Sequence, residues 1–108
     1  MVKLKFIIGM IKPITPDECQ RMQMAMAPDW VIEIFNSLIA IKWDGVKAII
    51  YEDEFRTRVE ESDHDFDEAR RRGFFKINPL YNSNGWSVKE SYDTDLSEDF
   101  WEFTIKKS

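Results

Sequence analysis

Histidine and cysteine each occur once in this chain of 108 residues, as His64 and Cys19. That scarcity removes several chemistries before any pattern is sought. A zinc site on thiolate and imidazole ligands needs more of them than the sequence holds. No internal disulfide can form, and nothing calls for an oxidising compartment. His64-Asp65 resembles the paired ligands of metal-dependent phosphohydrolases, but such sites need further histidines, so His64 is read as a residue at a helix start. A Cys19–His64 nucleophile pair is disfavoured because the helical pattern puts Cys19 on an apolar face beside Met22, where thiols are inert. Gly9, Gly45, Gly73 and Gly85 stand apart, so no glycine-rich phosphate loop occurs. A G-x-S-x-G elbow is also missing.

Long apolar runs are equally scarce. The stretch Phe6–Ile11 has six residues and contains Gly9, short of the roughly 7–15 of a signal-peptide core. Nothing approaches the roughly 20 residues of a membrane span. The expectation is a soluble, cytoplasmic protein without a membrane partner. Positive charge is short too: fifteen basic against twenty acidic residues give a net charge of −5. Residues 1–51 are nearly balanced, and the excess acid lies in residues 52–108. Arg70–Arg72 is too small a cluster to supply the basic face that general nucleic-acid binding requires.

What the chain does have is apolar volume. Hydrophobic residues make up 44% and aromatics number fifteen, enough for one core without metal or disulfide. The whole of residues 1–108 reads as a single α+β domain. Alternation in "KLKFII" predicts a strand over Lys3–Ile8. "ITPDE" predicts a helix start, with Thr15 and Glu18 as a capping box and Pro16 in the first turn. That helix should run to about Met26, with Cys19, Met22 and Met26 on one face and core filling preferred over a plastic partner surface. "DWVIEIFNSLIAIK" has helical spacing over Asp29–Lys42 with an apolar face broad enough for burial on more than one side, and Asp44-Gly45 ends it.

"VKAIIYED" reads as a strand whose inward set is either Val46, Ala48 and Ile50 or Lys47, Ile49 and Tyr51, the first being preferred. "EFRTRVEES" alternates Phe55, Thr57 and Val59 with Arg56 and Arg58, and is read as a second strand or a bend after Asp53. Ser62 or Asp63 should cap a short helix carrying Phe66 and Ala69, closed by Gly73. Asn78 as cap, Pro79 in first position and Gly85 after the last turn frame another short helical segment. Trp86–Tyr92 and Phe100–Lys106 form a C-terminal antiparallel hairpin. The result is about three helices packed on an antiparallel sheet of three to five strands.

Two acidic stretches attract a functional reading. Glu52–Glu68 holds nine acids in seventeen residues. Asp93, Asp95, Ser97 and Asp99 fall at alternate positions, as calcium ligands do. Yet Glu98 stands at the sixth position where a calcium loop has glycine, and Thr104 at the twelfth where it has a bidentate Glu. A solvated hairpin turn explains those residues better, so no metal or other cofactor is assigned.

The order "ITPDE", "PDWVIEIFNSLI", "WDGVKAIIYED", "ARRRGF", "YNSNGWSVKESYD" and "FWEFTIKK" resembles small proteins of unknown function recurrent in tailed-bacteriophage genomes. The similarity covers most of residues 14–107. Its most specific pieces are the helix carrying Asn36 and the ending from Gly85-Trp86 through Tyr92-Asp93 to Phe103. These are apolar anchors and turns, so the resemblance implies a shared fold and no catalytic signature. Members often place Pro or Gly after the Tyr-Asp pair, where Thr94 and Asp95 stand here.

The leading functional expectation is a non-enzymatic accessory protein of this phage type, binding a host or viral protein through an acidic surface. Its contact residues would be Glu52, Asp53, Glu54, Glu60, Glu61, Asp63 and Asp65 from the first run. Tyr92, Asp93, Asp95, Glu98, Asp99 and Trp101 would come from the hairpin, with Tyr92 and Trp101 as exposed aromatic anchors. A second expectation is a small Mg²⁺-dependent enzyme acting on nucleotides or nucleic acid through Asp53, Asp63 and Asp65. A third is a virion component or homodimer, self-associating through an exposed strand edge at Phe100–Lys106.

Overall fold

The computed structural model describes residues 13–19 and 27–107. The predicted strand Lys3–Ile8 and the helical continuation to Met26 lie outside the described residues. The capping box is present: Glu18 N–H donates to Thr15 Oγ1 at 3.1 Å, and Thr15 N–H donates to Glu18 Oε1 at 3.0 Å. The helical turn it starts, over residues 16–19, is exposed throughout. Cys19 is exposed, contrary to its reading as a buried thiol.

Helix α1 spans Asp29–Lys42. Its broad apolar face buries Val31, Ile34, Phe35, Leu38 and Ile39, each burial contributing roughly 1.5–3 kcal/mol of transfer free energy. Asp44 turns the chain out of the helix, its Oδ1 accepting the N–H groups of Val46 and Lys47 at 2.9 Å. These bonds hold the Asp44 carboxyl below its ordinary pKa. Gly45 takes φ +99°, which a side chain would resist.

Strand β1, Lys47–Tyr51, sends Ala48 and Ile50 inward. Val46, predicted with them, precedes the strand and is exposed. The next segment corrects the sequence reading. Glu52–Glu61 is a helix, α2, with no strand or bend. Phe55 and Val59 lie four residues apart and both are fully buried, so the helical period accounts for them as well as alternation does. Three acids in the first turn suit the positive end of the helix dipole, and Glu54 Oε1 accepts the N–H of Tyr51 at 3.2 Å.

Helix α3, Phe66–Arg71, is capped by Asp65, whose Oδ1 accepts Glu68 N–H at 3.0 Å. The cap is thus Asp65, and not Ser62 or Asp63, which sit in the turn leaving α2. Gly73, at φ +80°, reverses the chain, so that Phe75 and Ile77 return to the core. Helix α4, Asn78–Ser83, carries Pro79 near its start and buries Tyr81; its cap position is Ile77, so Asn78 is its first residue and not its cap. Strands β2, Trp86–Asp93, and β3, Glu98–Ile105, form the C-terminal hairpin.

The sheet is antiparallel with order β1-β3-β2. Central placement of β3 decides which of its residues are buried. Trp101 lies opposite Ile50 and Glu90, and Phe103 opposite Ala48 and Val88, all on the face turned to the helices. The predicted free edge at Phe100–Lys106 is consequently occupied on both sides over Phe100–Thr104, and Ile105 pairs with β2 alone, so β3 is not an edge strand there.

Phe35 sits at the centre of the core. Its ring centroid lies 4.3 Å from Phe55, 5.1 Å from Trp101 and 6.0 Å from Phe103. Tyr81 packs edge-on to Phe35 and donates its hydroxyl to Asn36 Oδ1 at 2.7 Å. That bond fastens α4 to α1, and burial pushes the Tyr81 phenol pKa up.

Candidate functional site

Helices cover the inner sheet face at the Trp86–Val88 end, and the face continues past them to Glu90, Tyr92 and Asp99. There a cleft of about 520 Å³ opens between the sheet and the loop after α3. Its inner wall is apolar, from Phe75 and Trp101. Tyr92, Asp99 and Glu90 form the sheet side, and Gly73 and Lys76 the loop side. Glu52 and Arg70, which close one end, are ion-paired with each other.

Register fixes the chemistry on the sheet side. Glu90 lies opposite Trp101, and Tyr92 opposite Asp99. Same-face neighbours alternate along each strand, so these four side chains make a square. The two carboxylates occupy one diagonal, about 7–8 Å across at the backbone. Tyr92 is 54% exposed and Trp101 only 5%. The expectation that Trp101 is an exposed anchor is therefore corrected: on a central strand its inward indole packs against Phe35 and Phe55. Its indole N–H finds no acceptor among the described residues.

Most of the first acidic run is engaged. Glu52 pairs with Arg70, and Glu54 with Lys42 at 2.9 Å. Glu60 and Asp67 share Arg56 at 3.7 and 3.6 Å, and Asp65 is a helix cap. Arg56 and Arg70 also lie over the Phe66 ring, at 4.2 and 5.0 Å from its centroid, a favourable place for a guanidinium. The run is a helix-stabilising surface with interleaved cations from α1, α2 and α3, and among the described residues only its Asp53, Glu61 and Asp63 keep carboxylates outside this web.

Asp53 and Asp63 stand at opposite ends of α2, about 15 Å apart by helix rise. The trio Asp53, Asp63 and Asp65 does not converge, and no group of three or more His, Cys, Asp or Glu side chains among the described residues is placed to hold a metal. His64, a half-buried residue, stacks on Trp30 with ring centroids 3.7 Å apart and planes 4° from parallel. It joins the α2–α3 turn to the start of α1.

The hairpin tip is a turn built by Asp93. Its Oδ1 accepts Asp95 N–H at 3.0 Å and Leu96 N–H at 3.1 Å, while its Oδ2 accepts the Tyr51 hydroxyl at 2.9 Å. The tyrosine bond, reinforced by the turn N–H groups, holds the Asp93 carboxyl below its ordinary pKa. The same bond raises Tyr51. Glu98 Oε1 accepts Asp53 N–H at 2.7 Å, tying the tip to the start of α2. Asp95 projects from the exposed turn.

Of the thirteen residues expected at a partner surface, the cleft gathers four: Glu52, Tyr92, Asp99 and Trp101. Arg70, Lys76 and Phe75 were not expected there, whereas Glu90 lies in the stretch Glu90–Glu102 that the sequence reads as an extension of the acidic surface. Glu90 belonged to the acid-rich ending and alternates with Tyr92, a pattern that puts both on one face. Arg70 and Lys76 carried no such signal, since only the reversal at Gly73 brings them to the sheet. No described helix is long and apolar enough to cross a membrane. No protein-family model, curated protein or solved structure matches the chain.

Proposed function

We propose that this chain is a non-enzymatic accessory protein that binds another protein through the acidic, open end of its hairpin. The observation that carries the reading is the contrast between the two acidic stretches. The carboxylates of α2 and α3 are largely satisfied by arginine, lysine or backbone N–H groups. The Glu90 and Asp99 carboxylates make no ion pair or hydrogen bond within the described residues, yet they line a concave site with an exposed tyrosine. Unsatisfied charge beside an aromatic platform suits recognition and steering more than stability. The phage-type assignment, with action on a host or viral protein in the host cytoplasm, rests on the sequence resemblance alone.

Affinity capture from host lysate tests the reading. The tagged wild type should retain a specific protein that raised salt releases. A Glu90→Gln/Asp99→Asn variant should not retain it. Retention that ignores both salt and these substitutions would contradict the proposal.

A further inference from the structure

The cleft has a more specific chemistry than negative charge. We infer that it recognises a guanidinium group, taking an arginine side chain of a partner protein against Tyr92 between Glu90 and Asp99. This inference rests on the binding function proposed above and names the group that enters the site.

Three features favour a guanidinium. Glu90 and Asp99 stand on one diagonal of the inner face, set by the pairs Glu90↔Trp101 and Tyr92↔Asp99. A planar cation lying between them can donate one N–H edge to each carboxylate, an arrangement that a fork of five donors satisfies and a compact ammonium does not. Tyr92 is more than half exposed beside them, an aromatic face on which a weakly hydrated guanidinium stacks favourably. The protein's own arginines use this contact elsewhere: Arg56 and Arg70 lie over Phe66, and Arg72 lies 5.1 Å over Phe74.

The cleft's own cations leave that position open. Arg70 is held by Glu52 at the closed end. Lys76 lines the opposite wall and makes no ion pair among the described residues, so it faces two carboxylates without neutralising either. The cavity of about 520 Å³ is larger than a guanidinium needs and leaves room for the aliphatic stem along Phe75.

The test uses the full chain, labelled with ¹⁵N, and N-acetyl-arginine-methylamide as the probe. Saturable shifts are expected at the amides of Glu90, Tyr92 and Asp99 and at the indole N–H of Trp101. The citrulline analogue, matched in shape but uncharged, should bind about tenfold more weakly or worse, as the lost charge-assisted bonds require. Glu90→Gln and Asp99→Asn should each weaken the arginine probe about three- to tenfold, while Lys76→Ala should tighten it. All three positions are exposed, and unchanged thermal unfolding of the variants confirms that the fold is intact. Equal binding of citrulline, the absence of saturation, or shifts confined to another face would overturn the inference. Glu90 would then serve only to keep the β2 edge from pairing with other chains. A captured partner without arginine-probe binding refutes this site and leaves the protein-binding function standing. Probe binding without any captured partner does the reverse.

Discussion

The hydroxyl of Tyr51, at the end of β1, reaches across the central strand to Asp93 Oδ2 on β2, 2.9 Å away. Beneath this bridge lies Phe100, opposite Tyr51 in the register and 5.5 Å from its ring. One carboxylate thus closes the hairpin turn and links the two outer strands of the sheet. Tyr51→Phe should lower the urea midpoint modestly, since it removes one of three bonds to that carboxylate. Asp93→Ala should lower it more, because the turn N–H groups of Asp95 and Leu96 lose their acceptor as well. Equal effects from the two substitutions would mean that the turn bonds do nothing.

The same pair sets a pH dependence. Asp93 is held below its ordinary pKa, so its contribution is complete above about pH 4 and fades as pH falls through the depressed folded value. Tyr51 is raised, so its contribution is complete below about pH 10 and fades as pH climbs through the folded value. The stability difference between wild type and Tyr51→Phe should therefore be flat through neutrality and shrink at both ends. Urea titrations across that range read it directly.

Core truncation distinguishes the helical from the extended assignment of Glu52–Glu61. Phe55 is fully buried against Phe35, Phe66, Phe75 and Trp101, and Phe55→Ala should cost about 3–5 kcal/mol. Thr57, two residues on and on the same side of any strand, is exposed. Thr57→Ala should change stability by less than about 0.5 kcal/mol. Comparable losses at both positions would favour the strand.

Tyr81 and Asn36 form the hydrogen bond between α4 and α1. Tyr81→Phe should cost about 1 kcal/mol, and Asn36→Ala a similar amount. The double variant should lose less than the sum, because both changes remove one bond. Strict additivity in a thermal or urea cycle would show that the contact contributes nothing.

How far the sequence announced this structure varies by element. Helix α1 was legible because its apolar positions repeat at helical spacing and Asp44-Gly45 ends it. The hairpin was legible because two alternating runs flank a polar turn. Helix α2 was not, since Phe55, Thr57 and Val59 alternate while Phe55 and Val59 also fit one helical turn, and periodicity cannot separate the two over so few residues. The burial of Trp101 depended on strand order. A terminal strand reads as an edge until β1, about fifty residues earlier in the sequence, is found on its other side. The cleft was legible only in part. Tyr92, Asp99 and Glu90 share a face by alternation, whereas Arg70 and Lys76 arrive through the turn at Gly73.

The most direct measurement of the central claim is hydrogen–deuterium exchange on the complex with whatever protein the wild type captures. The account predicts slowed exchange at Gly73–Lys76, Glu90–Tyr92 and Asp99–Trp101, the segments that enclose the cleft, with α2 unchanged. Slowing confined to Asp53–Glu61, with the cleft segments exchanging as in the free protein, would contradict it.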